Sequence, residues 1–306
     1  MTSRFAAFAI VLVVNVFVAG RADAAPDPAV VKRNAIVDFY NHQVPVGERS
    51  LGSYFKRFNP KTGPTCKTAE DAEKLTATLM PHPGKFESEV ESLRSAAKAE
   101  PASPSLDAAS VELATAFEAL VQATDENWRY YDAEEHRKDL CKKSKTLHGK
   151  VRAAGARFHK AHAALYTLLR ADEAKRGVVE LKEIEARSGK GGMYWKKKAM
   201  IDARTAMDTI DRGVNLGLPT ADPVRAALKK LDATKKAVAA YQKAHEDGAK
   251  ESGFSHFAAM IDFFATAANQ YADGLASGKA DVDDVIGAYN RAVESSNRVR
   301  FGESFH

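Results

Sequence analysis

The sequence predicts an all-α protein, folded as an elongated antiparallel helical bundle with long helices. Alanine is the strongest helix former and a weak strand former, and it accounts for 54 of the 306 residues. Apolar residues recur at intervals of three, four and seven along most of the chain, which is the spacing of a buried helical stripe. No stretch alternates apolar and polar residues convincingly enough to predict a strand.

The N-terminus has the pattern of a cleaved secretory signal. Arg4 precedes the apolar run of residues 5–19, and Ala22-Asp23-Ala24 fits the small-x-small rule of signal peptidase. Such a run rises about 22 Å as a helix, whereas a hydrocarbon core is roughly 30 Å thick, so a permanent membrane anchor is the weaker interpretation. We therefore expect residues 1–24 to be removed and the protein to be periplasmic or secreted, without a stable membrane anchor.

The remaining residues, 25–306, are expected to form one helical-bundle domain, and whether residues 25–104 form a smaller helical subdomain stays open. The first helix can begin at Asp27-Pro28, because aspartate caps helices and proline suits the first helical position. Pro45 and Gly47 are expected to break or kink this helix.

Caps and apolar stripes predict the later helices. Thr68 with Asp71 is a capping-box variant at the start of a short second helix. The nearly continuous charge of residues 134–143 interrupts the pattern and predicts an irregular turn. Further helices are predicted over about residues 85–99, 105–133, 144–187 and 193–213, and from about residues 222, 254 and 281 onwards.

The charge balance argues against a nucleic-acid partner. The chain has 45 basic and 40 acidic residues, a net charge of +5, and the two signs are interleaved rather than gathered in blocks. Lysine-rich segments are therefore interpreted as solvated helix faces. Binding to an anionic envelope polymer or lipid headgroup is the less favoured interpretation.

The two cysteines, Cys66 and Cys141, are expected to form a structural disulfide, because export places them in an oxidising compartment. The alternative is two buried free thiols. Neither cysteine belongs to a CxxC or CxxCH pattern, so redox catalysis and covalent haem attachment are not expected.

The histidines are candidate metal ligands, and the clustered carboxylates are candidate acid–base groups. His159 and His162 have the i, i+3 spacing of a shared metal site, but no Glu-x-x-His or His-Glu-x-x-His pattern accompanies them, so we expect surface or boundary histidines. The carboxylates of Glu134, Glu135 and Asp139 are surrounded by basic residues, which predicts ionised groups on a wet turn. No nucleophile pattern is present.

Four short motifs are spread over the chain. They are Asn34 with Tyr40-Asn41, Tyr130-Tyr131, Lys138-Asp139-Leu140 through Thr146-Leu147-His148 leading into Phe158, and Tyr289-Asn290 with Val293 and Asn297. In this order and separation they resemble the YiiG-type family of bacterial exported proteins. The resemblance implies an all-helical envelope protein and supplies neither a substrate nor catalytic residues. Many such relatives look like lipoproteins, whereas this chain has no lipid-accepting cysteine after its apolar run.

We expect a non-enzymatic exported protein that binds another protein or an envelope component along its long helices. The alternative is a small-ligand or metal-binding module with a pocket of tyrosine, asparagine and histidine side chains. His148 is expected to hydrogen-bond Asp139 or a tyrosine. No catalytic residue, metal ligand or cofactor is expected. The candidate binding residues are Tyr40, Asn41, Tyr130, Tyr131, Asp139, His148, Tyr289 and Asn290.

Overall fold

The computed structural model describes residues 27–75, 86–215, 219–246 and 253–301; the signal sequence expected over residues 1–24 lies outside them. These segments contain ten α-helices and no strand, which confirms the predicted all-α class. No helix in them is long and apolar enough to span a membrane. In chain order the helices are α1 (Pro28–Arg57), α2 (Ala69–Glu73), α3 (Glu87–Lys98), α4 (Pro104–Asp132), α5 (Glu135–Lys138), α6 (Lys142–Ser188), α7 (Gly192–Asn215), α8 (Ala221–Ala244), α9 (Phe254–Ser277) and α10 (Val282–Arg298).

The chain divides into two compact units, the first up to Arg170 and the second from Ala171, so the division falls within α6. In the first unit, α1, α3, α4 and the early part of α6 share one hydrophobic core. Phe117 is fully buried in it, and its ring centroid lies 5.6 Å from that of Phe39 on α1 and 5.9 Å from that of Phe158 on α6. Residues on both sides of position 104 therefore pack into the same core.

The first helix is continuous through Pro45 and Gly47, so of the two predicted outcomes, a break or a kink, the break is wrong. Pro45 lies inside α1, where its ring removes one backbone hydrogen bond. Val44 and Leu51, on either side of the expected break, are buried in the core. Because most helical stability comes from packing of the apolar face, this burial keeps the segment helical.

Two glycines allow α1 to approach α6 closely. A Cβ atom placed on Gly47 would lie 2.6 Å from the Phe158 ring, and one placed on Gly155 would lie 2.8 Å from the Leu51 side chain. Real Cβ atoms essentially never make contacts this short. Each glycine therefore accommodates a large apolar side chain from the opposite helix.

A disulfide bond joins Cys66 to Cys141, as the sequence predicts, and this pairing rules out the alternative of two free thiols. Cys66 lies in the loop before α2, whose predicted capping box between Thr68 and Asp71 is present. Cys141 lies between α5 and α6, with a left-handed φ of 61°. The bond spans a sequence separation of 75 and ties the loop before α2 to the start of α6.

The second unit contains α7 to α10 and the last part of α6. α8 packs against α7 and α9, and α10 packs against α9 and α7. α9 begins after Gly253 and ends before Gly278, which both adopt left-handed conformations. The sequence also predicts a heptad stripe on α9. Its last member, Leu275, is half-buried, and its other members are buried, namely Phe254, Phe257, Ile261, Phe264, Ala268 and Tyr271.

The close approach of α1 to α6 predicts opposite effects for two glycine substitutions on the same helix. Gly47→Ala should lower the free energy of unfolding by roughly 1–3 kcal/mol, because the new methyl group overlaps the Phe158 ring. Gly52→Ala should raise it by about 0.5–1 kcal/mol, because nothing lies within 4 Å of the added Cβ atom and alanine favours the helix. Urea unfolding followed by circular dichroism measures both changes, and equal effects would contradict the proposed packing.

Loss of the disulfide should destabilise the protein strongly. In the chain-entropy model, opening a loop of this length by Cys66→Ser with Cys141→Ser removes about 4 kcal/mol from the free energy of unfolding. Urea unfolding of the double variant, compared with the oxidised wild type, measures the loss. Reduction of the wild type should reproduce it, and an unchanged midpoint in both samples would show that the bond contributes little.

Candidate functional site

Three side chains of the kind that bind metals meet between α1 and α6, and we call them the Glu48 cluster: Glu48, His159 and His162. The Glu48 Oε1 atom lies 2.8 Å from His159 Nδ1 and 2.8 Å from His162 Nε2. One nitrogen from each histidine and one oxygen from the glutamate all lie within 4.8 Å of one another. Across the described segments of the chain, this is the one group of three or more His, Cys, Asp or Glu side chains that converges in this way.

The Glu48 cluster is half-buried, with its most open side at His159. The exposed fractions of the side chains are 12% for Glu48, 19% for His162 and 37% for His159. The Phe158 ring packs against His162 at a centroid distance of 5.1 Å. Burial raises the pKa of Glu48, but hydrogen bonds from the two histidines outweigh burial and lower the pKa from 4.5 to about 2. Glu48 is therefore a carboxylate anion at neutral pH.

Sequence reasoning missed Glu48 as the partner of the histidine pair. No carboxylate stands near His159 and His162 along the chain, so the sequence does not predict a metal site there. The carboxylate comes from another helix, 114 positions from His162. The available signal was the pair of glycines: Gly47 precedes Glu48, and Gly155 lies one turn before His159. Small residues indicate that helices can approach, but they do not identify which helix is the neighbour.

Three of the predicted binding residues form one hydrogen-bonded chain. Tyr131 OH donates to Ser144 Oγ at 3.0 Å, Ser144 Oγ donates to Tyr130 OH at 3.4 Å, and Tyr130 OH donates to Asp139 Oδ1 at 2.7 Å. Both tyrosines are buried. The chain joins the end of α4 to the start of α6 through Asp139, which follows α5 in the charged segment expected to be an irregular turn.

The environment of Asp139 favours its ionised form. Burial raises the pKa of this carboxyl, but the hydrogen bond from Tyr130 and the backbone N–H groups that follow Asp139 outweigh it, so the pKa lies below its ordinary value of 3.8. The backbone N–H of Lys143 donates to the second carboxylate oxygen at 3.1 Å. Asp139 is thus held in place at the first turn of α6 by donors from two elements.

His148 is buried and bonds to two elements. Its Nδ1 atom lies 3.0 Å from Tyr54 OH on α1, so a tyrosine, and not Asp139, is its side-chain partner. Its Nε2 atom lies 3.2 Å from the carbonyl oxygen of Pro60 in the loop that carries Cys66. Burial lowers the pKa of His148, which favours the neutral imidazole at neutral pH.

Of the remaining predicted residues, Tyr40 lies beside the Glu48 cluster, with its ring centroid 6.4 Å from that of His162, and the others lie apart from the contacts described above. Tyr40 on α1 stacks on Tyr166 of α6 at a centroid distance of 5.8 Å, and the neighbouring Asn41 is half-buried. In the second unit, Tyr289 is buried and accepts a hydrogen bond from Arg204 at 3.2 Å, while Asn290 is exposed. The idea that the candidate residues bind one ligand together stays a prediction.

The outer face of α8 carries a row of exposed lysines, and we call Lys229, Lys236 and Lys243 the α8 stripe. They recur every seven residues, with exposed alanines between them. None of the three forms an ion pair with another described residue. Asp232, four residues before Lys236, pairs instead with Lys235, which also contacts Asp262. Within the described part of the chain, the three lysines of the stripe therefore have no ion-pair partner.

The fold and these sites define an all-α protein with polar contacts between paired helices and a basic face on its second unit. The chain belongs to the DUF3829 family, described as a protein of unknown function, whose family model matches residues 27–298. This membership covers nearly all of the described structure.

The chain is also similar to "Uncharacterized protein YiiG" of Escherichia coli (strain K12). The two are 29% identical over 221 residues, which cover 71% of this chain and 59% of the relative. The chain thus spans less than two thirds of the length of that relative. These findings confirm the YiiG-type resemblance inferred from the four motifs. No solved structure matches the chain significantly.

The Tyr130 hydroxyl is predicted to stabilise the protein through the Asp139 carboxylate. Tyr130→Phe should lower the free energy of unfolding by roughly 1.5–3 kcal/mol at neutral pH, the range for hydrogen bonds to charged groups. Because the folded-state pKa of Asp139 is lowered, the stability that its charge supplies is present above pH 4 and falls with pH as the carboxyl protonates. The difference between variant and wild type should therefore be smaller at an acidic pH, below about 4, than at neutral pH.

Tyr131→Phe is the matched control for this prediction. It removes the hydrogen bond to Ser144, which involves no charged group, so its cost should be about 1 kcal/mol at both pH values. Urea unfolding of both variants at the two pH values gives the comparison. A Tyr130→Phe cost that does not change with pH would contradict the role assigned to Asp139.

Proposed function

We propose that this protein is a non-enzymatic exported protein that binds phosphate groups repeated along an anionic component of the cell envelope. The observation that carries this proposal is the α8 stripe. A row of exposed, unpaired cations attracts a surface or polymer that presents anions in a row, and the attraction does not require a pocket.

The distribution of charge supports α8 as the binding element. This helix has six basic and two acidic side chains, a net charge of +4, whereas the whole chain has a net charge of +5. Arg225 pairs with Asp273 and Lys235 with Asp262, so the charges beside α9 are compensated. The excess therefore belongs to the outward lysines, including Lys230 beside the stripe.

The spacing of the stripe also suits an extended ligand. Residues seven apart on a helix lie about 10.5 Å apart along its axis, so the three lysines span roughly 21 Å. The positions between them that share the face are Asp232, Ala233, Ala239 and Ala240; the three alanines leave room for a polymer or headgroup layer to approach the helix, and Asp232 pairs with Lys235. No large apolar side chain lies between the lysines, which favours adsorption at a charged surface over insertion into it.

Two features support export as the setting. The N-terminal residues have the pattern of a secretory signal. The Cys66–Cys141 disulfide is of the kind that persists in oxidising compartments. In such a compartment, phosphate-bearing lipids and polymers are more accessible partners than nucleic acids.

Charge removal on α8 tests the proposal. Lys229→Gln with Lys236→Gln and Lys243→Gln keeps good helix formers but removes three charges. At about 1 kcal/mol per lysine near an anionic surface, affinity for vesicles of phosphatidylglycerol and phosphatidylcholine should fall roughly 100-fold. Vesicle co-sedimentation measures it, and soluble polyphosphate in place of vesicles distinguishes a polymer from a lipid source.

The control removes the same charge from scattered positions. Lys56, Lys98 and Lys182 are exposed on three different helices, so their triple glutamine variant should bind almost like the wild type. Binding by the wild type should weaken as salt is added, because exposed charges are screened. Equal losses in the two triple variants, or no binding by the wild type to either probe, would refute the proposal.

A further inference from the structure

We propose that the Glu48 cluster binds a divalent transition-metal ion of the zinc type, through Glu48 Oε1, His159 Nδ1 and His162 Nε2. This function is separate from envelope binding by the α8 stripe and does not depend on it. The proposal rests on the convergence of three donor atoms from two helices on one point.

The donor set matches the chemistry of zinc and its neighbours. Two imidazole nitrogens and one carboxylate oxygen are the ligands found in many three-ligand zinc sites, with metal–ligand distances of about 2.0–2.2 Å. Nitrogen donors favour zinc, copper, nickel or cobalt over magnesium and calcium, which prefer sites made of oxygen atoms. These three ligands therefore predict that the site binds zinc-type ions in preference to magnesium and calcium.

The geometry needs only small adjustments to receive an ion. Both histidine nitrogens now lie 2.8 Å from the same carboxylate oxygen, which is hydrogen-bond distance. An ion at about 2 Å from each ligand atom would take the place of the hydrogen atoms between Glu48 and the two histidines. Slight side-chain rotations would then move the three ligand atoms apart to the spacing of a tetrahedral site. The i, i+3 spacing of the histidines fixes their relative positions, because both lie on the rigid helix α6.

The residues around the Glu48 cluster hold it in place, and they leave one side of it open to solvent. Phe158 packs on His162 and fills the space above Gly47, so the residue before Glu48 is fixed against α6. His159 is the most exposed member, and it leaves a path from solvent to the cluster. Three protein ligands leave at least one coordination position for water or for a small external ligand.

Titration of the full chain with Zn²⁺ tests the proposal. The protein is purified without a histidine tag, and isothermal titration calorimetry is run at high salt, where the α8 stripe is screened. We expect one ion per chain and no comparable binding of Mg²⁺. Absence of zinc binding under these conditions would overturn the proposed metal site. The proposal for the α8 stripe would be unaffected.

Glutamine variants assign the ligands. His159→Gln and His162→Gln each keep an N–H donor that can face Glu48 but lose the imidazole nitrogen, so the fold should survive while zinc affinity falls at least about 100-fold. His42→Gln is the matched control, because His42 is exposed on α1 away from the cluster. Retention of binding in both cluster variants, or an equal loss in the control, would place the zinc elsewhere and refute the assignment.

X-ray absorption of the zinc-loaded wild type decides the question if a variant does not fold. The expected spectrum contains scattering from two imidazole rings and nitrogen or oxygen neighbours at about 2.0–2.1 Å. A spectrum without imidazole scattering, or with sulfur neighbours, would overturn the proposal. This measurement separates a metal site from a purely structural hydrogen-bonded cluster, because the latter predicts no ordered zinc.

Discussion

α1 and α6 approach each other closely because Gly47 faces the Phe158 ring and Gly155 faces Leu51. The contact joins helices that are far apart in the sequence, and it brings together the polar groups that meet between α1 and α6. Any larger residue at either glycine places a carbon atom within 3 Å of the opposite side chain. Shape complementarity at these two points therefore sets the distance between the helices, and the distance sets which polar atoms can meet.

The polar contacts along this helix pair specify one antiparallel register. Tyr40 stacks on Tyr166 near one end, Tyr54 contacts His148 near the other, and Glu48 meets its histidines between them. A slip of one helical turn, about 5.4 Å, would break all three contacts at once. An apolar stripe made largely of similar side chains discriminates weakly between such registers, so these three contacts supply specificity that the core alone does not.

The sequence predicted the local features and the disulfide, and it missed contacts whose partner no sequence pattern identifies. The long α4 was expected over about 105–133 and extends over Pro104–Asp132, because its stripe and breaking residues lie within one segment. Pro45 was misread because burial of the surrounding residues outweighs the local cost of proline. The Tyr130–Asp139 bond spans nine residues, yet its atoms meet only because a turn with left-handed residues returns the chain. Glu48 was missed because no local pattern relates it to His162.

The two units carry charge in different ways, and the two proposals rest on this difference. Glu48 is an anion that is largely withdrawn from water and lies 2.8 Å from one nitrogen of each of two histidines, so the three side chains together offer the ligands that a small cation of the zinc type takes. The α8 stripe consists of fully hydrated cations, whose attraction is weak per residue and gains strength only by repetition along an extended anion. We expect the Glu48 cluster to select its ligand by coordination geometry and the α8 stripe to select its ligand by charge density. We therefore expect salt to weaken the proposed surface binding far more than the proposed metal binding, because exposed charges are screened more strongly than partly buried ones.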